Sequence, residues 1–138
     1  MDAIPTPRTA FDCTTQMLEC VSRRYAEPHR RYHTWAHVRA CLEARHLLTE
    51  ASLPEVDLAL VFHDAIYEPL ATDNEERSAR LLLYEGRCAW LHESLLQRAQ
   101  VLVRATAHGV GHAVDTEEAC IVVDADLSIL GSDPSSFD

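Results

Sequence analysis

The chain has 138 residues, the size of one ordinary domain, which is long enough to close a hydrophobic core without disulfide bonds. Its formal charge is -10, and all 12 basic residues are arginines, with no basic stripe of the kind that grips a nucleic-acid polymer. No stretch approaches the ~20 apolar residues of a membrane span, and the N-terminus lacks a signal-peptide pattern. We therefore expect a cytoplasmic protein without a nucleic-acid or membrane partner.

Cysteine usage also indicates a reducing compartment. The five cysteines are odd in number, scattered, and never arranged as CxxC, so neither a disulfide framework nor a zinc knuckle is expected. Each falls in a helix-like segment, and we interpret all five as small apolar fillers in or near the core. They are Cys13, Cys20, Cys41, Cys88 and Cys120.

Helical periodicity begins after a loose, proline-rich segment at residues 1–8. A first helix is predicted from about residue 9 to 26, where Phe11, Leu18, Val21 and Tyr25 share one face. A polar connector follows, and a second helix is predicted from about residue 34 to 48. Pro54 marks the first turn of a third helix, which the apolar run extends to about residue 67.

Three further helices are predicted in the second half of the chain. Capping-type starts at residues 73–76 and 115–118 open the fourth and sixth, and the fifth carries leucines and alanines at helical spacing from about residue 91 to 106. The ordered domain would span residues 9–131. Residues 132–138 resemble the start of a further helix, so we expect a trimmed C-terminus. With no alternating strand pattern, the predicted fold is all-α and a single domain.

The third helix contains the most informative stretch. Residues 58–62 have no polar face, which is typical of a buried helix, and His63 and Asp64 follow directly. Burying these two polar groups without partners costs several kcal/mol in order of magnitude. A metal ion, an arginine salt bridge or mutual hydrogen bonding are the available solutions. Asp124, beside two valines in the sixth helix, presents the same problem.

Four side chains from three helices make up a candidate metal site: His37, His63, Asp64 and Asp124. Two neutral imidazoles and two carboxylates balance the charge of a divalent cation. Mixed nitrogen and oxygen ligation suits Mn²⁺, Fe²⁺, Co²⁺ or Zn²⁺ better than Ca²⁺. Four protein ligands on a six-coordinate ion leave positions for water or substrate, which is typical of a catalytic site.

The order His … His-Asp … Asp resembles the HD superfamily of metal-dependent phosphohydrolases. It is most similar to a bacterial branch of predicted phosphohydrolases whose substrate is unassigned. The resemblance covers most of the predicted domain and is carried by residues 31–37 (RYHTWAH), 62–67 (FHDAIY), 73–79 (DNEERSA) and 124–131 (DADLSILG). It implies an HD-type helical bundle in which His37, His63, Asp64 and Asp124 hold one catalytic metal ion.

The resemblance also implies a general acid. The spacing of His33 and His37 is similar to the corresponding stretch of cyclic-nucleotide phosphodiesterases, another HD group. There the first histidine protonates the leaving oxygen, so His33 is our candidate, with a solvated loop histidine as the alternative. Glu68 follows Asp64 by four residues and could orient water or a ligand, or could simply be a helix-end carboxylate.

Substrate contacts are expected from Arg31, Asn74, Arg77 and His108. The arginines suit a phosphate because their planar guanidinium matches its oxygens, and Arg30 is an alternative to Arg31. A second metal held by His108 and a histidine four residues later is the weaker option, since glycines interrupt that helix.

These features predict a metal-dependent phosphohydrolase acting on a phosphate ester of a nucleotide or another small phosphorylated metabolite. The ion would activate a water and polarise a phosphoryl oxygen, an arginine would offset the developing charge, and His33 would donate a proton. The alternative is a non-catalytic HD module that binds a metal or nucleotide as a sensor. A third interpretation makes the histidines hydrogen-bonded core residues of a helical scaffold.

Overall fold

Six α-helices follow one another in the computed structural model, which describes residues 10–30, 33–107 and 116–128. No strand occurs within these ranges, so the prediction of an all-α fold is confirmed. The helices are α1 (Ala10–Tyr25), α2 (Trp35–Leu48), α3 (Pro54–Phe62), α4 (Asn74–Cys88), α5 (Glu93–Ala105) and α6 (Glu117–Ser128). The expected loose segment 1–8 and the helix start at 132–138 lie outside the described residues.

Helix α3 forms the centre of the bundle. Its last four residues, from Ala59 to Phe62, are all buried, as expected for a segment without a polar face. It packs against α2, α4, α5 and α6, and α2 also contacts α6 directly. The C-terminal end of α3 therefore lies where side chains from α2 and α6 can reach it.

Helix α3 ends at Phe62, five residues earlier than predicted, and His63 is its C-cap. The hydroxyl of Tyr25 donates to Val61 O at 2.7 Å and accepts from Asp64 N at 3.2 Å. Ala65 N bonds to Phe62 O in a tighter turn. Hydrogen bonds from outside the helix thus replace those that would continue it, and His63 and Asp64 lie on a turn rather than within the helix.

The buried Arg30 completes this turn. Its guanidinium donates to Asp64 O at 2.7 Å and to Ala65 O at 2.6 Å, and it lies 4.9 Å from the centre of the Tyr25 ring. One arginine therefore satisfies two backbone carbonyls of the turn that follows α3. This fold-building role explains why a charged side chain is buried here.

Two further contacts tie the helices together. Arg45 of α2, only 2 % exposed, forms an ion pair with Asp57 of α3 through Nε and Oδ1 at 2.9 Å. Between α4 and α5, the buried Leu96 side chain packs over Gly86, where a Cβ would overlap it. The absence of a side chain at Gly86 thus permits the close approach of these two helices.

The cysteines do not all behave as core fillers. Cys41 is buried and Cys20 is partly buried, but Cys88 and Cys120 are exposed, so our interpretation was wrong for the latter two. Both lie on the solvent side of their helices, a position that composition alone does not reveal. Cys13 lies in the described part of α1, but its side chain is not among those described. In the described ranges, no helix has both the length and the apolar character that crossing a membrane requires.

Candidate metal centre

The candidate site lies where the end of α3 meets α2 and α6. His37 and Cys41 come from the first half of α2, four residues apart and therefore on one face of that helix. His63 and Asp64 come from the turn after α3, and Asp126 comes from α6. Three segments distant in sequence thus bring two imidazoles, two carboxylates and a thiol into one region.

The donor atoms are spaced like the corners of a coordination polyhedron. His37 Nε2 lies 3.3 Å from His63 Nε2 and 3.0 Å from Asp126 Oδ1, and His63 Nε2 lies 3.2 Å from the same oxygen. Asp64 Oδ2 lies 3.2 Å from His63 Nε2 and 3.5 Å from His37 Nε2. An ion with bonds of about 2.0–2.2 Å separates neighbouring ligand atoms by roughly 2.8–3.6 Å, so the spacing fits a divalent cation.

The tautomer of His63 is set by its backbone contact. His63 Nδ1 lies 2.6 Å from Leu60 O, and a carbonyl can only accept, so Nδ1 carries the proton. In the neutral ring, Nε2 then presents a lone pair to the carboxylate oxygens of Asp64 and Asp126. Lone pairs that face one another need a proton or a cation between them. Metal-bound histidines typically make a hydrogen bond like the one from His63 Nδ1 to Leu60 O, which leaves the other ring nitrogen for the metal.

The electrostatics of the site favour a positive charge at its centre. Burial of His63 opposes protonation, but the charge of Asp64 and the hydrogen bond to Asp126 outweigh it and raise the His63 pKa well above its usual value. Burial raises the Asp64 pKa, yet His63 and the hydrogen bond from His33 hold that pKa well below its ordinary range. Hydrogen bonds from His37 and His63 likewise overcome burial and lower the pKa of Asp126. Both carboxylates are therefore ionised at neutral pH, as ligands of a metal must be.

Asp126, and not Asp124, supplies the carboxylate from α6. Asp124 is exposed, whereas the Asp126 side chain is only 12 % exposed and contacts both His37 and His63. Residues two positions apart in an α-helix are separated by about 200° around the helix axis, so the two aspartates point in nearly opposite directions. The periodicity of α6 indicates which aspartate faces the core. At 100° per residue, Asp126 lies only about 40° around the helix axis from the buried Val122.

Cys41 is a site residue that sequence reasoning missed. Its Sγ lies 3.5 Å from His37 Nε2, and the donor atoms of His37, Cys41, His63 and Asp126 all lie within 4.8 Å of one another. Burial raises the pKa of Cys41 to about 12, so the side chain is a neutral thiol in the metal-free protein. The i,i+4 spacing to His37 was the available signal, but it was interpreted as core packing.

His33 lies at the edge of the cluster. Its Nδ1 is 2.9 Å from Asp64 Oδ2, and its side chain is 34 % exposed. The His33 ring lies 4.2 Å from the ring of Tyr67, which also stacks against His29 at 6.2 Å. The imidazole is thus held by Nδ1 and one ring face, while it keeps access to solvent.

The structure does not bring Glu68 and Asn74 to the cluster. Glu68 is exposed, and because α3 ends at Phe62 it does not share a helix face with Asp64. The Asn74 side chain accepts from Glu68 N at 3.1 Å and donates to Glu68 O at 3.0 Å. This amide therefore holds the loop before α4, which leaves its polar atoms committed to the backbone.

The arginines differ from one another in availability. Arg30 is engaged with backbone carbonyls, so its guanidinium is not available to a phosphate. Arg77 is partly buried near the start of α4, and it forms no ion pair with any residue that the structure describes. Arg31 and His108, the other two predicted substrate contacts, lie outside the described residues, as does the histidine pair suggested for a second metal.

Comparison with protein-family models gives no match, and comparisons with curated proteins and with solved structures give none either. The chain is an all-helical protein with a buried group of histidine, cysteine and aspartate side chains that could hold a metal ion, and this arrangement is compatible with an HD-like fold.

Proposed function

We propose that this protein is a metal-dependent phosphohydrolase of the HD type, acting on a phosphate ester of a nucleotide or another small phosphorylated compound. The observation that carries the proposal is the convergence of His37, His63, Asp64 and Asp126 on one small volume. Their order in the chain, His … His-Asp … Asp, is the order on which the resemblance to the HD superfamily rests. The change from Asp124 to Asp126 preserves that order.

The donor set fits a divalent transition metal. Two imidazole nitrogens and two carboxylate oxygens suit Mn²⁺, Fe²⁺, Co²⁺ or Zn²⁺, and the two carboxylates offset both charges of the ion. The ligand side chains are 1–19 % exposed, so the ion would be largely shielded from bulk water. When bound, such an ion lowers the pKa of a water molecule and polarises a phosphoryl oxygen.

The surrounding residues supply orientation and proton transfer. Tyr25 and Arg30 hold the backbone of the turn that carries Asp64, which fixes the direction of that carboxylate. With His33 Nδ1–H donating to Asp64 Oδ2, the proton for the leaving oxygen comes from Nε2 of the imidazolium form, which returns to the neutral ring after the transfer. Arg77 is the described arginine that we assign to the phosphate.

Elemental analysis of the purified protein tests the metal, and a panel of phosphorylated metabolites with Mn²⁺, Co²⁺, Fe²⁺ or Zn²⁺ tests the reaction. We expect stoichiometric metal and release of phosphate or nucleoside from at least one member. Asp64→Asn should lose both metal and turnover while the circular dichroism spectrum stays helical. Unchanged metal content in that variant would contradict the ligand assignment.

The role of His33 can be tested separately from metal binding. His33→Gln should keep the metal and lower kcat by about 10²–10⁴, the range for loss of a general acid. The loss should be much smaller for a nitrophenyl phosphate, whose leaving group needs no proton. Equal losses for both leaving groups would show that His33 does not donate the proton.

One observation favours a second candidate function, a sensor that binds a metal and a nucleotide without cleaving it. Two polar side chains that the sequence suggests for substrate contact, Arg30 and Asn74, are committed to backbone groups, so few described residues are left to stabilise a transition state. Binding of nucleotides by the metal-loaded protein, with no release of phosphate or nucleoside across the panel, would select this function.

A further inference from the structure

Cys41 lies in a position that the resemblance to HD proteins does not address. It is fully buried on the inner face of α2, between His37 one turn before it and Arg45 one turn after it. Its Sγ points to the same volume as the ligand nitrogens and the carboxylate of Asp126. An ordinary core cysteine has apolar neighbours, whereas this one has a ligand histidine at 3.5 Å.

The spacing matches a sulfur donor on the same ion. In tetrahedral geometry, bonds of about 2.3 Å to sulfur and about 2.0 Å to nitrogen separate these two atoms by roughly 3.5 Å. The distance from Cys41 Sγ to His37 Nε2 is 3.5 Å, and the distance between the two histidine Nε2 atoms is 3.3 Å. Together with Asp126 Oδ1 these atoms form a group whose members all lie within 4.8 Å of one another.

We infer that Cys41 is a ligand of the metal ion and selects Zn²⁺ or Co²⁺ over Mn²⁺ and Mg²⁺. This inference rests on the metal site of the proposed function but not on hydrolysis. Thiolate sulfur is a soft donor that binds Zn²⁺ strongly and suits the harder Mn²⁺ and Mg²⁺ poorly. As the sulfur–metal bond forms, the S–H bond of Cys41 breaks and its proton leaves to solvent, which makes binding tighter at higher pH.

The ligand set then differs from that of a site with nitrogen and oxygen donors only. Cys41 adds a fifth donor to the proposed set, because it lies in one tight group with His37, His63 and Asp126 while Asp64 Oδ2 lies beside both imidazoles. Asp64 is in turn held by His33, whose Nδ1 lies 2.9 Å from Asp64 Oδ2. The thiolate adds a negative charge, which weakens the ion as a Lewis acid and keeps it bound more tightly.

Cobalt spectroscopy of the full chain, under reducing conditions, tests the inference directly. Co²⁺ added to the metal-free protein should produce a sulfur-to-cobalt charge-transfer band in the near ultraviolet. The band should vanish in Cys41→Ser and Cys41→Ala and persist in Cys88→Ser and Cys120→Ser, which change exposed thiols. A variant that keeps Cys41 as its single cysteine should still show it, which decides the question even where a Cys41 variant does not fold.

Competition between metals provides the second measurement. Loaded with equal amounts of Zn²⁺ and Mn²⁺, the wild-type protein should retain zinc, and Cys41→Ser should lower that preference by about tenfold or more. Stoichiometric Co²⁺ without the charge-transfer band, or an unchanged preference, would overturn the role of Cys41 and leave the proposed hydrolase intact. A protein that binds no Co²⁺ at all would overturn both proposals.

Discussion

The two aspartates of α6 offer a sharp test because they differ in direction but hardly in sequence position. Asp126→Asn keeps the size of a side chain that is 12 % exposed and lies 3.0 and 3.2 Å from the two ligand nitrogens. Asp124→Asn makes the same chemical change on the exposed side of the same helix. A difference between the two variants therefore reports the site and not the loss of one charge from the protein.

The expected magnitude follows from the contacts. Residues that only orient a metal ligand change affinity by about 10–100-fold, so loss of a carboxylate in direct contact should cost at least about 100-fold, or about 2.7 kcal/mol of binding free energy. At a free metal concentration 100 times the wild-type Kd, metal stabilises the fold by about 2.7 kcal/mol, and in Asp126→Asn by only about 0.4 kcal/mol. The metal-dependent rise in Tm should fall from roughly 10 °C to roughly 1–2 °C.

Thermal unfolding with and without metal, together with chelator competition for the Kd, measures both numbers. Asp124→Asn should stay within about 0.5 kcal/mol of wild type in stability, as exposed substitutions usually do, and should bind metal normally. Equal loss of affinity in the two variants, or a larger loss in Asp124→Asn, would refute the placement of Asp126 at the metal.

Three further outcomes follow from the packing and charges around the site. Tyr25→Phe should lower the free energy of unfolding, measured in urea, by about 1–3 kcal/mol, because it leaves the carbonyl of Val61 and the amide of Asp64 without the tyrosine hydroxyl as a partner. A loss below about 0.5 kcal/mol, as is usual for substitutions of exposed residues, would contradict this role of the hydroxyl. Gly86→Ala should lower the free energy of unfolding by about 1 kcal/mol net. Overpacking against Leu96 costs about 1–3 kcal/mol, and the higher helix propensity of alanine offsets about 1 kcal/mol of this. Leu96→Val in the Gly86→Ala protein should restore part of the lost stability. The metal-free protein should lose stability as the pH falls below about 4. The Asp64 pKa is lower in the folded chain than its ordinary value of 3.8, so the unfolded chain binds the proton more readily and acid favours unfolding. Asp64→Asn should flatten this part of the plot of unfolding free energy against pH.

Local signals in the sequence were sufficient to place the helices. The buried character of α3 followed from residues 58–62 having no polar face, and a proline in the first turn located its start. Helix bounds agreed within a few residues elsewhere, because apolar periodicity and turn residues are properties of neighbouring positions. The early end of α3 could not be predicted in this way, since Tyr25 and Arg30 end it from outside.

Roles of polar residues were harder to assign, because a side chain can meet several partners with similar chemistry. Asn74 and Arg30 carry groups that suit a phosphate equally well, yet both bind backbone atoms in the folded chain. Asp126 was passed over although the period of α6 distinguishes it from Asp124. Here the information was present in the sequence, and comparing the helical position of each aspartate with that of the buried Val122 would have selected the one that contacts His37 and His63.

The amino-acid sequence by itself determined an all-helical chain, a buried central helix and a pair of polar residues, His63 and Asp64, that needed a partner. These follow from periodicity and burial, which depend on residues close together in the chain. Only the tertiary structure decided which partners arrive, because packing of α2, α6 and the turn after α3 brings Asp126 to both histidines and Cys41 to His63. Packing between distant segments sets the ligand geometry, and no local pattern specifies it.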